Sequence, residues 1–368
     1  MGDLRRWCFP PTWSPASCCN NCREQLPGQS LGPAGFSWQP TRRCLRRDTR
    51  FSDALYNSRR IVVATHASSG AAAACQFCCV GCGGRECRPV YAALPWLRQC
   101  TGCGLRCTWP QPAEEELAAL YDAEYYRALG YDLLTVSGWP PAQQARADRL
   151  LGLAERHVGP GRLLDVGSGL GDVLAAGVRR GWRVTGIEPN GLAAGWAARR
   201  VPQAEVVCQS LEEFAGRKGT FDVVTCLEVI EHFRDPGACL ERIRRLLRPG
   251  GILVATTPDA GSLHARVCGR RWVHYHRDHL WYFDRRILAR LARRAGLEVL
   301  RCATAWKVFT PGYMMHVLAR FSGNRAVRGA ARAGLRWLPR WVLVRRLPPL
   351  PEGLLLLARR PAGEEVWP

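Results

Sequence analysis

The stretch Asp165-Val166-Gly167-Ser168-Gly169-Leu170-Gly171 has the makings of a loop that holds a ligand. An apolar run leads into it and a helical stretch follows. Glycine in that position lets the backbone turn tightly and approach a ligand with no side chain in between. A dinucleotide loop of the G-x-G-x-x-G kind would need glycine at position 172, where the chain carries Asp172. The leading acid, Asp165, would repel a pyrophosphate but not a cation. At the end of the next apolar run, WRVTGIE, stands Glu188, followed by Pro189. A carboxylate there can accept hydrogen bonds from both hydroxyls of a ribose, which suits NAD or S-adenosylmethionine. Ser210, Leu211 and Glu212, after AEVVC, are placed to give contacts to an adenine, although a loop acid is more often merely solvated.

Two cysteine pairs carry the second signal. Cys79-Val-Gly-Cys82-Gly83 and Cys100-Thr-Gly-Cys103-Gly104 are separated by seventeen residues. Four thiolates at that spacing suit tetrahedral zinc, and the glycine after each pair permits the tight knuckle turn. Cys75 and Cys78 form a competing C-x-x-C just upstream, but only Cys79 and Cys82 repeat the glycine that follows Cys103. A closed four-cysteine site leaves no open position for activating water, so such a metal would be structural. Cys18, Cys19 and Cys22 have no second pair at a suitable spacing.

These residues need elements to position them. Between Arg162 and Pro258 short apolar runs alternate with amphipathic stretches. RLLDV, WRVTGIE, AEVVC, FDVVTCL and GILVATTP read as strands, while Gly171 to Arg180 and Pro236 to Leu247 read as helices. The alternation argues a parallel sheet covered on both faces. Glu298 to Ala303 and Gly353 to Ala358 are apolar runs available to complete it. Residues 1–74 show no sustained period and are expected to be disordered or unassigned, with an upstream extension from a misplaced start as the alternative. The remaining boundaries are a zinc-binding module over 75–112, a helical connector over 113–160, a central domain over 161–312 and a basic C-terminal region with the last strand over 313–368. The connector holds helices from Ala113 to Leu129 and from Ala142 to His157.

The run from Leu163 to Asp259 resembles class I S-adenosylmethionine-dependent methyltransferases in the order and spacing of four blocks. These are the D-x-G-x-G-x-G loop, the strand-end Glu188, FDVVTCLEVIEH and LLRPGGILVATTPD. The resemblance implies an α/β fold, a Rossmann-like seven-stranded methyltransferase sheet with a small N-terminal zinc-ribbon-like module. It also implies that Asp165 and Gly167 through Gly171 shape the pocket for the methionine part of S-adenosylmethionine, that Glu188 binds its ribose, and that Cys226 and Leu227 lie against it. The ending Glu228-Val-Ile-Glu231-His232 is similar to that of the ubiquinone-pathway O-methyltransferases. His232 would be the base for a hydroxyl acceptor; the plainer alternative is that Glu231 and His232 brace the following helix. The cysteine stretch resembles the zinc-binding N-terminal region of some bacterial methyltransferases from sugar and polysaccharide clusters.

After Pro258 the segment SLHARVCGRRWVHYHRDHLWYFD, near 260–284, resembles an acceptor-side insert that overhangs the pocket. It makes His274, His276, Asp278, His279, Trp281 and Tyr282 candidates for acceptor contacts, with His279 as a second catalytic candidate or a brace of the fold. The expected activity is methylation of a hydroxyl on a sugar or small natural product. Carbon methylation of a sugar is the alternative within the class, and a non-catalytic zinc-ribbon binding protein the alternative outside it. The net charge of +21 comes from 52 basic against 31 acidic residues, with lysine only at Lys218 and Lys307. Arginine, alanine, glycine and proline together mark a GC-rich coding bias, so no nucleic-acid partner is expected. No apolar run is long enough to span a bilayer and no signal sequence is evident, which places the expected protein in the cytoplasm. Between Arg320 and Arg346 eight arginines without an acid alternate with Trp337, Leu338, Trp341 and Val342. That pattern fits a peripheral membrane contact or a solvated face.

Overall fold

The computed structural model describes residues 77–113, 116–117, 141–216, 218–307, 310–321, 325–343, 345, 347 and 350–363. The expectations for 1–74 and for most of the helix Ala113–Leu129 lie outside them. Three strands come first, β1 (Cys87–Tyr91), β2 (Leu94–Cys100) and β3 (Arg106–Thr108), and helix α1 (Pro141–Ala154) leads into the glycine loop. Strands and helices then alternate: β4 (Arg162–Val166), α2 (Asp172–Arg179), β5 (Arg183–Ile187), α3 (Gly191–Arg200), β6 (Glu205–Val207), β7 (Phe221–Leu227), α4 (Pro236–Leu246) and β8 (Leu247–Pro258). The insert holds α5 (Leu263–Cys268) and β9 (Trp281–Tyr282). The chain closes with α6 (Arg285–Arg294), β10 (Glu298–Lys307), α7 (Pro311–Phe321), α8 (Arg325–Trp337), α9 (Arg340–Leu343) and β11 (Leu350–Arg359).

Helix starts follow local chemistry. The side chains of Asn190, Asp235, Ser262 and Asp284 accept hydrogen bonds from backbone amides at the starts of α3, α4, α5 and α6, which leaves fewer donors orphaned. Pro236 follows Asp235 at the first turn of α4, where its missing N–H costs nothing.

The main sheet has the order β6-β5-β4-β7-β8-β11-β10. It is parallel from β6 to β8. The two late apolar runs complete it as expected, but β11 pairs antiparallel with both β8 and β10, so the sheet is mixed. Its centre is dry: Leu163, Leu164, Val223, Val224, Ile252 and Leu253 are fully buried. Strand order reverses between β5-β4 and β7-β8, and open α/β sheets bind ligands outside the strand ends at such a switch point. The glycine loop, Glu188 and the Glu228–His232 segment follow β4, β5 and β7 there.

The smaller sheet has the order β1-β2-β3-β9. Its last strand comes from the insert, pairing Cys107 with Trp281 and Arg106 with Tyr282. Phe77, Leu105 and Cys107 belong to the same buried cluster as Phe221, Leu240, Leu280 and Ile287. The cysteine module therefore shares a sheet and a core with the large domain.

Candidate active site

The loop after β4 is shaped by glycines at positive φ, with values of 69° at Gly167, 51° at Gly169 and 83° at Gly171. At Gly167 a Cβ would stand 2.5 Å from Val229 Cγ2, so glycine is needed for space as well as conformation. At Gly169 the same position has no heavy atom within 4 Å. The loop leaves an open cradle there. Gly167 and Ser168 donate their amides to the Ile187 carbonyl at 2.9 and 3.0 Å, which ties the loop to the end of β5. The buried Ser168 hydroxyl has no hydrogen-bond partner among the described residues.

Glu188 is buried beside this cradle and accepts the amides of Gly169 at 2.9 Å and Asn190 at 3.0 Å, one on each carboxylate oxygen. Burial raises its pKa, against these two hydrogen bonds. Each oxygen keeps a lone pair for a further donor. Asp165 lies beneath the loop and accepts the Thr225 hydroxyl at 2.6 Å. Burial pushes its carboxyl up to about 7, although the Thr225 hydrogen bond favours the ionised form. Pro189 and Glu212 are exposed and Leu211 is buried. Leu227 is half-buried at the end of β7, whereas Cys226 is fully buried in the core behind it.

Beyond β7 the chain turns at Glu228, the one non-glycine residue at positive φ among the described residues. Its carboxylate accepts from Arg146 at 2.7 Å and Lys307 at 2.8 Å, and Arg146 also donates to Thr256 at 2.8 Å. Burial alone would raise Glu228, but Lys307 and Arg146 outweigh it and hold the group well below the usual carboxylate range. Sequence reasoning missed this triangle, since its members come from α1, the end of β7 and β10. Glu231 is buried, neither carboxylate oxygen has a hydrogen-bond partner among the described residues, and burial pushes it up to about 8.

His232 stands next in line, partly exposed, with Nδ1 at 2.9 Å from the Asp278 carbonyl. A carbonyl only accepts, so Nδ1 carries the proton and, in the neutral ring, Nε2 presents a lone pair. Burial lowers the pKa of His232. His279 packs edge-on against it with centroids 4.8 Å apart. Burial holds His279 well below its ordinary value, and its Nδ1 has no partner among the described residues. Within the insert, Trp281 and Tyr282 are not free for an acceptor: both are buried. The Trp281 indole donates to the Phe233 carbonyl at 3.0 Å and the Tyr282 hydroxyl to that of His276 at 2.7 Å. Pairing in β9 sends the two side chains to opposite faces, Trp281 into the main core and Tyr282 into a cluster with Leu97, Trp272 and Tyr275.

At the other end of the insert's sheet, Cys79, Cys82, Cys100 and Cys103 converge, their sulfurs all within 4.8 Å of one another. Cys79 and Cys103 are 3.5 Å apart and Cys82 and Cys100 3.6 Å, close to the about 3.8 Å edge of a tetrahedron with zinc–sulfur bonds of about 2.3 Å. Gly83 and Gly104, at φ 77° and 80°, close the two knuckles with amides on the Cys79 and Cys100 carbonyls. Cys78, of the competing pair, is exposed.

Residues 142–301 match the family model described as a methyltransferase domain. The sheet order, the glycine cradle and the homology below agree, and the chain belongs to the S-adenosylmethionine-dependent methyltransferase family. Among its relatives is the ubiquinone biosynthesis O-methyltransferase of Aromatoleum aromaticum, 32% identical over 163 residues that cover 41% of this chain and 68% of that one. The enzyme of the same name from Aeromonas salmonicida is 39% identical over 101 residues, 26% of this chain, and the match spans only 42% of its length. The structure also resembles that of 1,6-didemethyltoxoflavin-N1-methyltransferase from Burkholderia thailandensis, with a TM-score of 0.43 and 19% identity over 75% of this chain and 99% of that one.

Proposed function

We propose that the chain transfers a methyl group from S-adenosylmethionine to a hydroxyl of a sugar or small natural-product acceptor. The observation that carries this reading is the open cradle at Gly169, flanked by the buried Glu188 carboxylate and the unpartnered Ser168 hydroxyl. In it Asp165, Gly167, Ser168, Gly169 and Gly171 would hold the methionine part, Glu188 the ribose, and Pro189, Leu211 and Glu212 the adenine side. Leu227 would border the cofactor, with Cys226 supporting it from the core. Bound S-adenosylmethionine supplies an electrophilic methyl on a cationic sulfonium. The chain's task is to align an acceptor oxygen with that methyl and to take its proton. His232 Nε2 is the group for the second step, its ring fixed by the Asp278 carbonyl and by His279 packed edge-on as a positioning residue. The O-methyltransferase relatives favour oxygen as the acceptor atom. Zinc on Cys79, Cys82, Cys100 and Cys103 would brace the small sheet, and the arginines between Arg320 and Arg346 would rest on an anionic membrane surface.

Calorimetry with S-adenosylhomocysteine tests the core of this reading: micromolar binding is expected, and absence of binding would overturn it. A mass-spectrometric screen for substrates gaining one methyl identifies the acceptor. On that acceptor His232→Ala should lower kcat about 100-fold or more with unchanged S-adenosylhomocysteine affinity, the usual contribution of a positioned base.

A further inference from the structure

The insert places three imidazoles around one point. His274, His276 and His279 each offer a ring nitrogen within 4.8 Å of the other two. The rings of His276 and His279 lie 4.2 Å apart, and those of His274 and His279 are stacked at 6.0 Å. Backbone contacts fix the segment: the His279 amide donates to the His276 carbonyl, and its own carbonyl accepts the Thr108 hydroxyl at 2.7 Å. Two features distinguish this group from histidines that merely fill space. His276 Nδ1 is paired with Asp278 Oδ1 at 2.9 Å, which leaves its Nε2 lone pair free to face a ligand. A ring held by a carboxylate through one nitrogen is the usual support of a metal-binding histidine. Buried His279 has a ring nitrogen with no partner among the described residues, an uncompensated polar atom unless something binds it.

We propose that His274, His276 and His279 form a second metal site, separate from the four cysteines, for a divalent first-row ion of the zinc, cobalt or nickel kind. Imidazole suits these ions, and zinc–nitrogen bonds of about 2.0–2.1 Å set a nitrogen–nitrogen edge of about 3.3 Å. The present spacing, within 4.8 Å, closes to that value by small rotations of the three rings, and a hydrated ion would enter past exposed His276. His279 has a second set of neighbours in Glu231 and His232, also within 4.8 Å, but that group has no exposed member. Three protein ligands leave a position for water or an acceptor oxygen, as at catalytic zinc sites and unlike the closed cysteine site.

The experiment is a metal count on the untagged full-length chain after equilibration with zinc, followed by removal of excess. Loss of one equivalent per chain between the wild type and His274→Ala/His276→Ala is expected, while Cys82→Ser retains that equivalent. In cobalt-loaded protein, the equivalent lost with the histidines should absorb without the intense sulfur-to-cobalt charge-transfer band of a thiolate site. His276→Ala alone, at an exposed position that tolerates truncation, should weaken the same equivalent by more than the about 10–100-fold that loss of an outer-shell partner costs. An unchanged metal content in both histidine variants, with the far-ultraviolet circular dichroism of the wild type, would overturn the proposal. So would a cobalt spectrum in which every bound equivalent shows thiolate character.

Discussion

Gly167 and Gly169 sit two residues apart in one loop, yet alanine should fail differently at each. At Gly167 the new Cβ meets Val229 at 2.5 Å and the backbone is held at φ 69°, so overpacking and conformational strain add. Together they should cost about 3 kcal/mol of stability, read by urea unfolding. At Gly169 only the conformational cost of about 1 kcal/mol applies, because the space is open. That space is the proposed cofactor cradle. Gly169→Ala should therefore stay folded and bind S-adenosylhomocysteine at least about tenfold more weakly, since a methyl occupies the volume the ligand needs. Asp165 gives a prediction with a sign. Its carboxyl is pushed up to about 7, so below that pH the free protein holds it protonated. A ligand carrying an ammonium favours the ionised form and expels the proton. Affinity should then rise with pH, by up to about tenfold per unit between about pH 5 and 7, and level off above. Calorimetry across that range should show the slope in the wild type and a flat profile in Asp165→Asn; an equal slope in the variant would remove Asp165 from the binding reaction.

Strand β9 links two parts that the sequence presents as separate modules. Its residues Trp281 and Tyr282 complete the cysteine sheet, while His274, His276 and His279 belong to the same insert, with the His279 ring 4.8 Å from that of His232 after β7. Disrupting the knuckles with Cys82→Ser, or stripping the proposed zinc, should therefore loosen more than residues 79–103. Amide exchange of residues 272–282 should speed up at least about tenfold, as expected when a packed partner is lost and local opening becomes cheaper. Unchanged exchange there would mean that the insert holds itself. The main sheet was legible in the sequence because RLLDV, FDVVTCL and GILVATTP are continuous apolar runs, as buried parallel strands require, with glycine at the turn after the first. The cysteine knuckles were legible through their repeated C-x-x-C-G spacing. Two residues are too few for a period, so β9 was invisible, and with it the reason Trp281 and Tyr282 are buried. The antiparallel entry of β11 is equally silent, since an apolar run carries no direction. The Glu228 triangle escaped because Arg146 and Lys307 are each about 80 residues from it in the chain and meet it only when α1 and β10 fold against β7.

At the scale of the whole molecule the proposed membrane contact rests on where basic and aromatic residues stand together. Among the described residues no helix is long and apolar enough to cross a membrane. The region α7 to α9 nevertheless exposes Met314, Leu318, Trp337, Leu338 and Trp341, with Trp337 76% and Trp341 69% accessible. Arg325, Arg332 and Arg336 are exposed on the neighbouring turns of α8, and the Arg336 guanidinium lies 5.4 Å from the centre of the Trp337 ring. A GC-rich coding bias is the expectation for arginine in general, but large indoles left in water beside it do not follow from that bias. Tryptophan with basic residues is the composition of a surface that rests at a lipid headgroup boundary. Each arginine near an anionic surface contributes about 1 kcal/mol. Replacing Arg325, Arg332 and Arg336 with glutamine should then lower partitioning onto anionic phospholipid vesicles about 100-fold. Added salt should weaken the wild type in the same direction by screening. Trp337→Ala/Trp341→Ala should weaken binding to the same vesicles with little change in that salt dependence, because it removes burial and leaves charge. Co-sedimentation that is undiminished by the arginine changes would show that this face meets water only, and the +21 net charge would then be read as composition alone.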